Sequence, residues 1–487
     1  MGQESFRGMP INDLYSLALD EASRLGATYA DYREEDITEQ SLSVSDGSPE
    51  LLNKSFSTGF AIRVIADGAW GFAADSIINE DSIRKTAATA VEIAKASARI
   101  NKSALELAER QVVEDAYATP FKKDPFAVPL SEKIEFLSEL ERMMRIDSQI
   151  NSTSAFMTFI RTQKFYASLD GSRISQDIYQ AGCGASCGVI RSHRDRSERS
   201  FPTPNGQWIT GGYEIINMFD FKNELPRIAQ EAIQLLSAKE CPQKELDLIL
   251  GGDLVSLQIH ESVGHPLELD RVFGYERNFS GVSFATTDKL GSLKYASDML
   301  TFVADSTYPG GLATYAYDDE GVKTERNILI DKGVLVNYLS DRETAHRIGK
   351  KSTACARAEG WMNTPIVRIP NILLLPGEST LDEMISGIDD GIYVISPNSW
   401  SIDDNREGFT LGGEVGWEIK NGRLGDMVKS PRYSGNTVDF WNSCDAVGNS
   451  DSWVLWGTPN CGKGQPGQNM RTAQGCSPCR FRKVKIG

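Results

Sequence analysis

Residues 260–266 read His-Glu-Ser-Val-Gly-His-Pro, and this short run restricts local folding more than any other part of the chain. The sequence holds only four histidines, His193, His260, His265 and His346, and two of them fall here, five positions apart. On a regular α-helix each residue turns about 100°, so side chains four apart share a face and side chains five apart diverge by about 140°. Such a helix cannot aim both imidazoles at one point. Two local departures can. Gly264 loosens the backbone and Pro266 pushes His265 out of the α region, so that the second ring swings back from the helix end. A π-bulge inside the motif has the same effect. Asp253 is the expected N-cap of this helix.

Around the motif the chain reads as a folded protein of more than one unit. It has 487 residues, 40% hydrophobic and 24% charged, which excludes disorder for most of its length. The net charge of −16 argues against a general binder of nucleic acid or anionic membrane, since either needs basic surface. The longest apolar runs, such as Ile328–Ile330 and Ile372–Leu375, are far too short to span a bilayer. The first residues have no apolar signal core, and Phe6 stands where a myristoylation pattern wants Ser or Thr. The expectation is a soluble cytoplasmic protein with no membrane and no direct nucleic-acid partner. Eight cysteines in so long a chain favour reduced thiols or metal ligands over a disulfide framework.

Periodicity predicts helices near residues 14–25, 82–99, 131–145 and 223–237, with Pro226 tolerable only in the first turn of the last. Alternation predicts strands over 28–45, 60–74 around Asp67-Gly68, and 154–191. Residues 238–244 are the expected boundary between an N-terminal α+β domain, 1–240, and a C-terminal β-rich domain, 241–487. Beyond it a strand at 246–250 leads through Gly251-Gly252 into the motif helix. Short strands with turn signals follow, including Asn421-Gly422, a strong two-residue hairpin signal. The fold class is α+β, a mixed α/β domain followed by a mostly antiparallel β domain carrying one metal-binding helix.

The residue types of the motif suit metal chemistry. Neutral imidazoles bind Zn²⁺ well, and the adjacent Glu261 can take a proton from an attacking water. H-E-x-x-x-H is one residue longer than the H-E-x-x-H of zinc peptidases. The bland alternative is two unrelated histidines. A catalytic zinc site needs a third protein ligand and an open position. His193, His346, carboxylates and cysteines are all available for it. Cys461 lies in the turn-rich segment 460–466, and Cys444 precedes Asp445.

The run HESVGHPLELD at 260–270 resembles the TldD family of metalloproteases, long described as modulators of DNA gyrase, whose pattern is H-E-x-x-G-H-x-x-E-x-D. Supporting matches are 62–73, Asp318-Asp319-Glu320-Gly321, 370–380, Ala446–Asn449 and Cys461-Gly462-Lys463, so the resemblance covers nearly the whole chain. It implies zinc held by His260, His265 and Cys461, with Glu261 as general base. It also implies hydrolysis of short or unfolded peptides in a cavity enclosed by two subunits. The partner is then a TldE-like (PmbA) subunit or a second copy. A thiolate ligand tempers Lewis acidity, so a slow or selective peptidase is expected. Glu268 and Asp270 are either acceptors that orient His260 or His265 or solvated carboxylates at a helix end. Asp318–Glu320 reads as a hairpin turn. Cys476 and Cys479 depart from the family pattern and read as reduced thiols, or as half of a second zinc site with Cys183 and Cys187.

Three other readings compete. Gly457–Gly464 approaches a phosphate loop but ends in Gly464, without a hydroxyl for Mg²⁺. Gly184–Gly188 matches G-x-S-x-G, which needs a strand-to-helix elbow. The third is a regulatory binding protein of the gyrase-modulator type whose metal is structural, with Cys444 or an Asp closing a four-ligand site.

Overall fold

The computed structural model describes residues 14–487 except 102, 193–194 and 465–466, so Phe6 and His193 lie outside the described residues. The N-terminal sheet runs in the order Ala69–Asp75, Ser48–Ala66, Tyr29–Ser45, Ser152–Ser168, Arg173–Ile190, Glu114–Ala118. Its two faces follow from the period-2 alternation of strands. Ala30, Tyr32, Leu42 and Val44 point to one side together with Phe165, Met157 and Cys183. Four helices cover that side: Leu14–Arg24, Glu80–Ala98, Leu130–Met144 and Phe221–Leu235. The opposite side carries Arg33, Glu35, Arg63, Lys164, Gln176 and Gln180, and it meets the C-terminal half. Asp67 and Gly68 both take positive φ, 53° and 77°, as a tight hairpin turn requires.

One expectation needs correction here. The fourth helix begins at Phe221, capped by the Asp220 side chain, which places Pro226 inside it rather than in its first turn. Residues 238–244, the expected boundary, contain a short strand, Lys239–Glu240, which pairs with Val428–Lys429.

Among the described residues the C-terminal half builds two large sheets and a two-stranded one, Ala356–Arg357 with Ile366–Val367. Lys244–Leu250, Cys479–Ile486, Arg432–Asn436, Gly408–Lys420 and Asp390–Ile402 pair in that order, and the last returns to the first, closing a ring. The second sheet runs Val334–Leu335, Asn327–Asp331, Phe302–Ala304, Asn371–Leu374, Gln468–Cys476, Val454–Lys463. Most pairings are antiparallel, as expected. The helix Gly252–Ile259 packs against Asp390–Ile402 of the ring and Gln468–Cys476 of the second sheet. Its apolar residues Leu254, Val255 and Ile259 are fully buried in a core shared with both. The motif therefore sits on a rigid, sequestered support.

Candidate metal centre

The motif leaves the α-helix at its first histidine. Gly252–Ile259 is α-helical, His260–Gly264 forms a π turn, and His265–Leu267 tightens into a 3₁₀ turn. The His265 N–H donates to the His260 carbonyl, five residues back, which brings both rings to one side. Of the two devices considered, the π-bulge is the one used. His265 stays in the α region at φ −61°, ψ −41°, so Pro266 does not expel it. Pro266 has no N–H for the Ser262 carbonyl, which accepts instead from the Tyr295 hydroxyl at 2.5 Å. Ser262 Oγ accepts from Trp441 Nε1 at 2.8 Å and donates to the Gln258 carbonyl at 2.5 Å. Gly264 supplies room rather than looseness. A Cβ there would lie 2.8 Å from Ile369 Cδ1. Asp253 is not the cap; it sits in the first turn and accepts from the Ser396 N–H at 2.7 Å, tying the helix to the ring.

The fold brings His260, His265 and Cys461 together, all buried, with one ligand atom from each within 4.8 Å of the others. The two rings stand nearly perpendicular, 4.8 Å apart. His265 Nε2 lies 3.6 Å from Cys461 Sγ. His265 Nδ1 lies 2.9 Å from Glu268 Oε2. A carboxylate only accepts, so the ring proton sits on Nδ1 and the Nε2 lone pair faces the thiol. His260 Nδ1 lies beside Thr472 Oγ1 and Gln474 Nε2 at 3.4 and 3.2 Å. Burial pushes both imidazoles below their ordinary value, which keeps them neutral and able to ligate. Burial alone would raise the Cys461 thiol, but its neighbours His265 and Arg368 outweigh it and lower it. Two neutral imidazoles and an easily ionised thiol are a donor set that suits a borderline-soft divalent cation.

Behind the donors lies a buried ionic chain. Lys463 is fully buried; its Nζ reaches Asp270 at 2.7 and 2.8 Å, the Val367 carbonyl at 2.5 Å and Glu268 at 3.3 Å. Burial opposes ionisation of Glu268, yet Lys463, His265 and Arg271 hold it well below the usual carboxylate range. Glu268 and Asp270 are thus buried acceptors, not solvated side chains. Arg368 donates to the carbonyls of Cys461 and Gln468 and fixes the strand that carries the thiol. Glu261 Oε2 accepts from Arg406 Nη1 at 3.0 Å.

The remaining candidates lie elsewhere. His346 pairs with Glu106 at the surface, and Cys444 is buried in the strand Cys444–Val447 outside the donor group. Cys183 and Cys187 belong to a different core from Cys476 and Cys479, and all eight cysteines are free thiols. Gly184–Gly188 lies within a continuous strand, and residues 457–463 lie within another, so neither makes the turn its motif requires. Sequence reasoning missed the roles of Arg271, Arg368 and Arg406. Nothing in their local pattern signals the site.

Models of the PmbA/TldA metallopeptidase family match residues 30–94, 123–240 and 243–487, as its first, central and C-terminal domains. The chain belongs to this family. A relative from Methanocaldococcus jannaschii, named a metalloprotease, is 30% identical over 86% of this chain and 89% of its own length. A Saccharolobus solfataricus protein named a zinc metalloprotease TldD homolog is 22% identical over 96% of this chain and 98% of its own. The crystal structure of TldE from Thermococcus kodakarensis shares the fold, with a TM-score of 0.72 at 16% identity, covering 97% of this chain and all of that one. Among the described residues no helix is long and apolar enough to cross a membrane.

Proposed function

We propose that this member of the metallopeptidase family is a zinc-dependent peptidase acting on short or unfolded peptides in a cavity completed by a second subunit. Its ligands are His260, His265 and Cys461, and its general base is Glu261. The observation that carries the reading is the convergence of three neutral or easily ionised donors beside a carboxylate on the same turn. A bound zinc ion supplies Lewis acidity toward the scissile carbonyl and the attacking water. Glu261 takes the water proton at its carboxylate and passes it to the leaving amine. Glu268, held by Lys463 and Arg271, fixes the His265 tautomer. The depth of His260 and Glu261, 4% and 7% exposed, favours flexible substrates, since a folded protein could not reach them. The partner is a TldE-like subunit or a second copy, the compartment is the cytoplasm, and the chain divides functionally into 1–240 and 241–487.

The test is metal content together with hydrolysis of an unstructured peptide mixture, for wild type and Glu261→Gln. Stoichiometric zinc in both with cleavage only in wild type is the expected result. Zinc in both and cleavage in neither, even after a TldE-like subunit is added, would instead support a regulatory protein with a structural metal.

A further inference from the structure

Arg406 occupies an unusual position beside Glu261. It lies in the loop 403–407 that joins the ring strands Asp390–Ile402 and Gly408–Lys420. Its backbone is left-handed, φ 61°, a conformation costly for a long side chain and found where surrounding structure over-determines it. The loop is over-determined in three ways. The Asp403 carboxylate accepts from the N–H groups of Asn405, Glu407 and Gly408 at 3.1, 2.9 and 2.7 Å. The Arg406 carbonyl accepts from Thr437 Oγ1 at 3.1 Å. The N–H groups of Val282 and Phe284 donate to the carbonyls of Asp404 and Asn405 at 2.7 and 3.0 Å. That last contact depends on Gly281, where a Cβ would lie 1.9 Å from the Asp404 oxygen.

The guanidinium so placed is only partly matched. Its side chain is 12% exposed, and among the described residues its hydrogen bonding is the single Nη1 bond to Glu261. Its Nε is buried without a partner. Burial and the nearby Arg271 disfavour the charge, so the site holds this cation at a cost. A thiolate in the ligand set cancels one of the two charges of a bound divalent ion. A second positive group beside the attacking water then has clear electrostatic use.

We propose, on the peptidase reading above, that Arg406 is a catalytic residue whose guanidinium donates to the scissile carbonyl oxygen as negative charge builds there, while its Nη1 keeps hold of Glu261. Water oxygen bonds to the carbonyl carbon and its proton passes to Glu261. The carbonyl π pair moves onto oxygen and is met by the free Arg406 N–H. The pair then returns, the C–N bond breaks, and Glu261 delivers its proton to the leaving amine.

The test is calorimetric binding of a phosphinic peptide, a tetrahedral anion, and of the matching C-terminally amidated substrate peptide. The proteins are the full-length zinc-loaded chain, Arg406→Met, Arg406→Lys, Glu261→Gln and the double variant Glu261→Gln/Arg406→Met. Loss of one oxyanion donor typically costs about 10²–10³-fold, so phosphinate affinity falls by roughly that factor in Arg406→Met. Binding of the amidated peptide, compared between Glu261→Gln and the double variant so that it is not cleaved, changes less than about threefold, and the phosphinate loss persists in the same background. Arg406→Lys, which keeps the charge without the fork, falls between. If the loss vanishes in the Glu261→Gln background, Arg406 only positions Glu261 and the proposal is wrong. It is equally wrong if the amidated substrate peptide loses affinity by the same factor as the phosphinate. Wild-type chain that holds zinc and cleaves peptide, with both Arg406 variants cleaving at its rate, overturns this inference alone. Wild-type chain that neither holds zinc nor cleaves overturns the peptidase reading and this inference together.

Discussion

Two clusters of buried charge lie in the C-terminal half, and they differ in what their polar atoms meet. At Asp318–Glu320 nearly everything is matched. Arg63 bridges Asp31 and Glu320 at 2.8 and 3.0 Å, and Lys164 meets Asp319 at 2.7 Å and Glu35 at 3.3 Å. Asp318 accepts from the N–H groups of Glu320, Val322 and Ala356. The segment is a turn, as its sequence suggests, but a buried one that joins the two halves. At His260–His265 the second tier is ion-paired, Lys463 meeting both Glu268 and Asp270, although Glu268 Oε1 and Arg271 Nε are buried without a hydrogen-bond partner. In the first tier, two imidazoles, a thiol, Glu261 and Arg406 face one another with donors and acceptors to spare. Matched charge holds halves together, whereas unmatched polar atoms on a rigid support are available for chemistry.

The comparison can be broken from either side. The largest effect belongs to Glu261→Gln, expected to reduce peptide turnover about 10²–10⁴-fold with zinc content and melting temperature unchanged. A stability loss in place of the activity loss would make Glu261 a structural residue. Arg63→Met is the converse. It leaves Asp31 and Glu320 buried without their cation and should lower unfolding stability by about 3–5 kcal/mol in denaturant titration, while folded protein keeps its metal stoichiometry. Glu268→Gln probes the tier between them. It should weaken zinc affinity about 10–100-fold in competition with a chelator, because His265 loses the carboxylate that orients it.

The smallest effect is one of pH. Glu414 joins the ring to the N-terminal strand Arg196–Phe201, accepting from Ser200 N at 3.1 Å and Ser200 Oγ at 2.8 Å and pairing with Arg199. Burial, only partly offset by Arg199, pushes its carboxyl up to about 7. The folded state therefore binds this proton more tightly than the unfolded chain does. Its stabilising contribution is present below the unfolded value, near 4.5, and is lost as pH rises through about 7. The melting temperature should fall by about 1–4 °C between pH 5 and 8, and Glu414→Gln should flatten that fall. An equal slope in both proteins would remove Glu414 as the cause.

How much of this was legible in the sequence depends on distance along the chain. The N-terminal sheet was, because alternation and the Asp67-Gly68 turn are local. So was the Asn421-Gly422 hairpin. The π turn was visible as one of two ways to align His260 and His265, and the choice between them rests on Tyr295, Trp441 and Ile369, which are remote in sequence. Closure of the ring was not legible, since its seam joins residues 247–250 to 391–394. Arg406 was invisible for a related reason. Its loop has ordinary turn composition, and only the docking of 281–284 onto 404–405 aims it at Glu261.

The π turn also determines what kinds of genetic change this site can absorb. A bulge of one residue is a shift of phase along the chain, not a property of any side chain. Point substitutions at Ser262 or Val263 can weaken its supports, but they cannot restore ordinary helical register. A single-codon deletion can, converting H-E-x-x-x-H to H-E-x-x-H and realigning the rings by another route. Everything downstream then moves by one position, and Glu268 is drawn away from Lys463. The two spacings are separated by an insertion or deletion with compensating changes on a distant strand, so a lineage committed to one cannot drift gradually into the other.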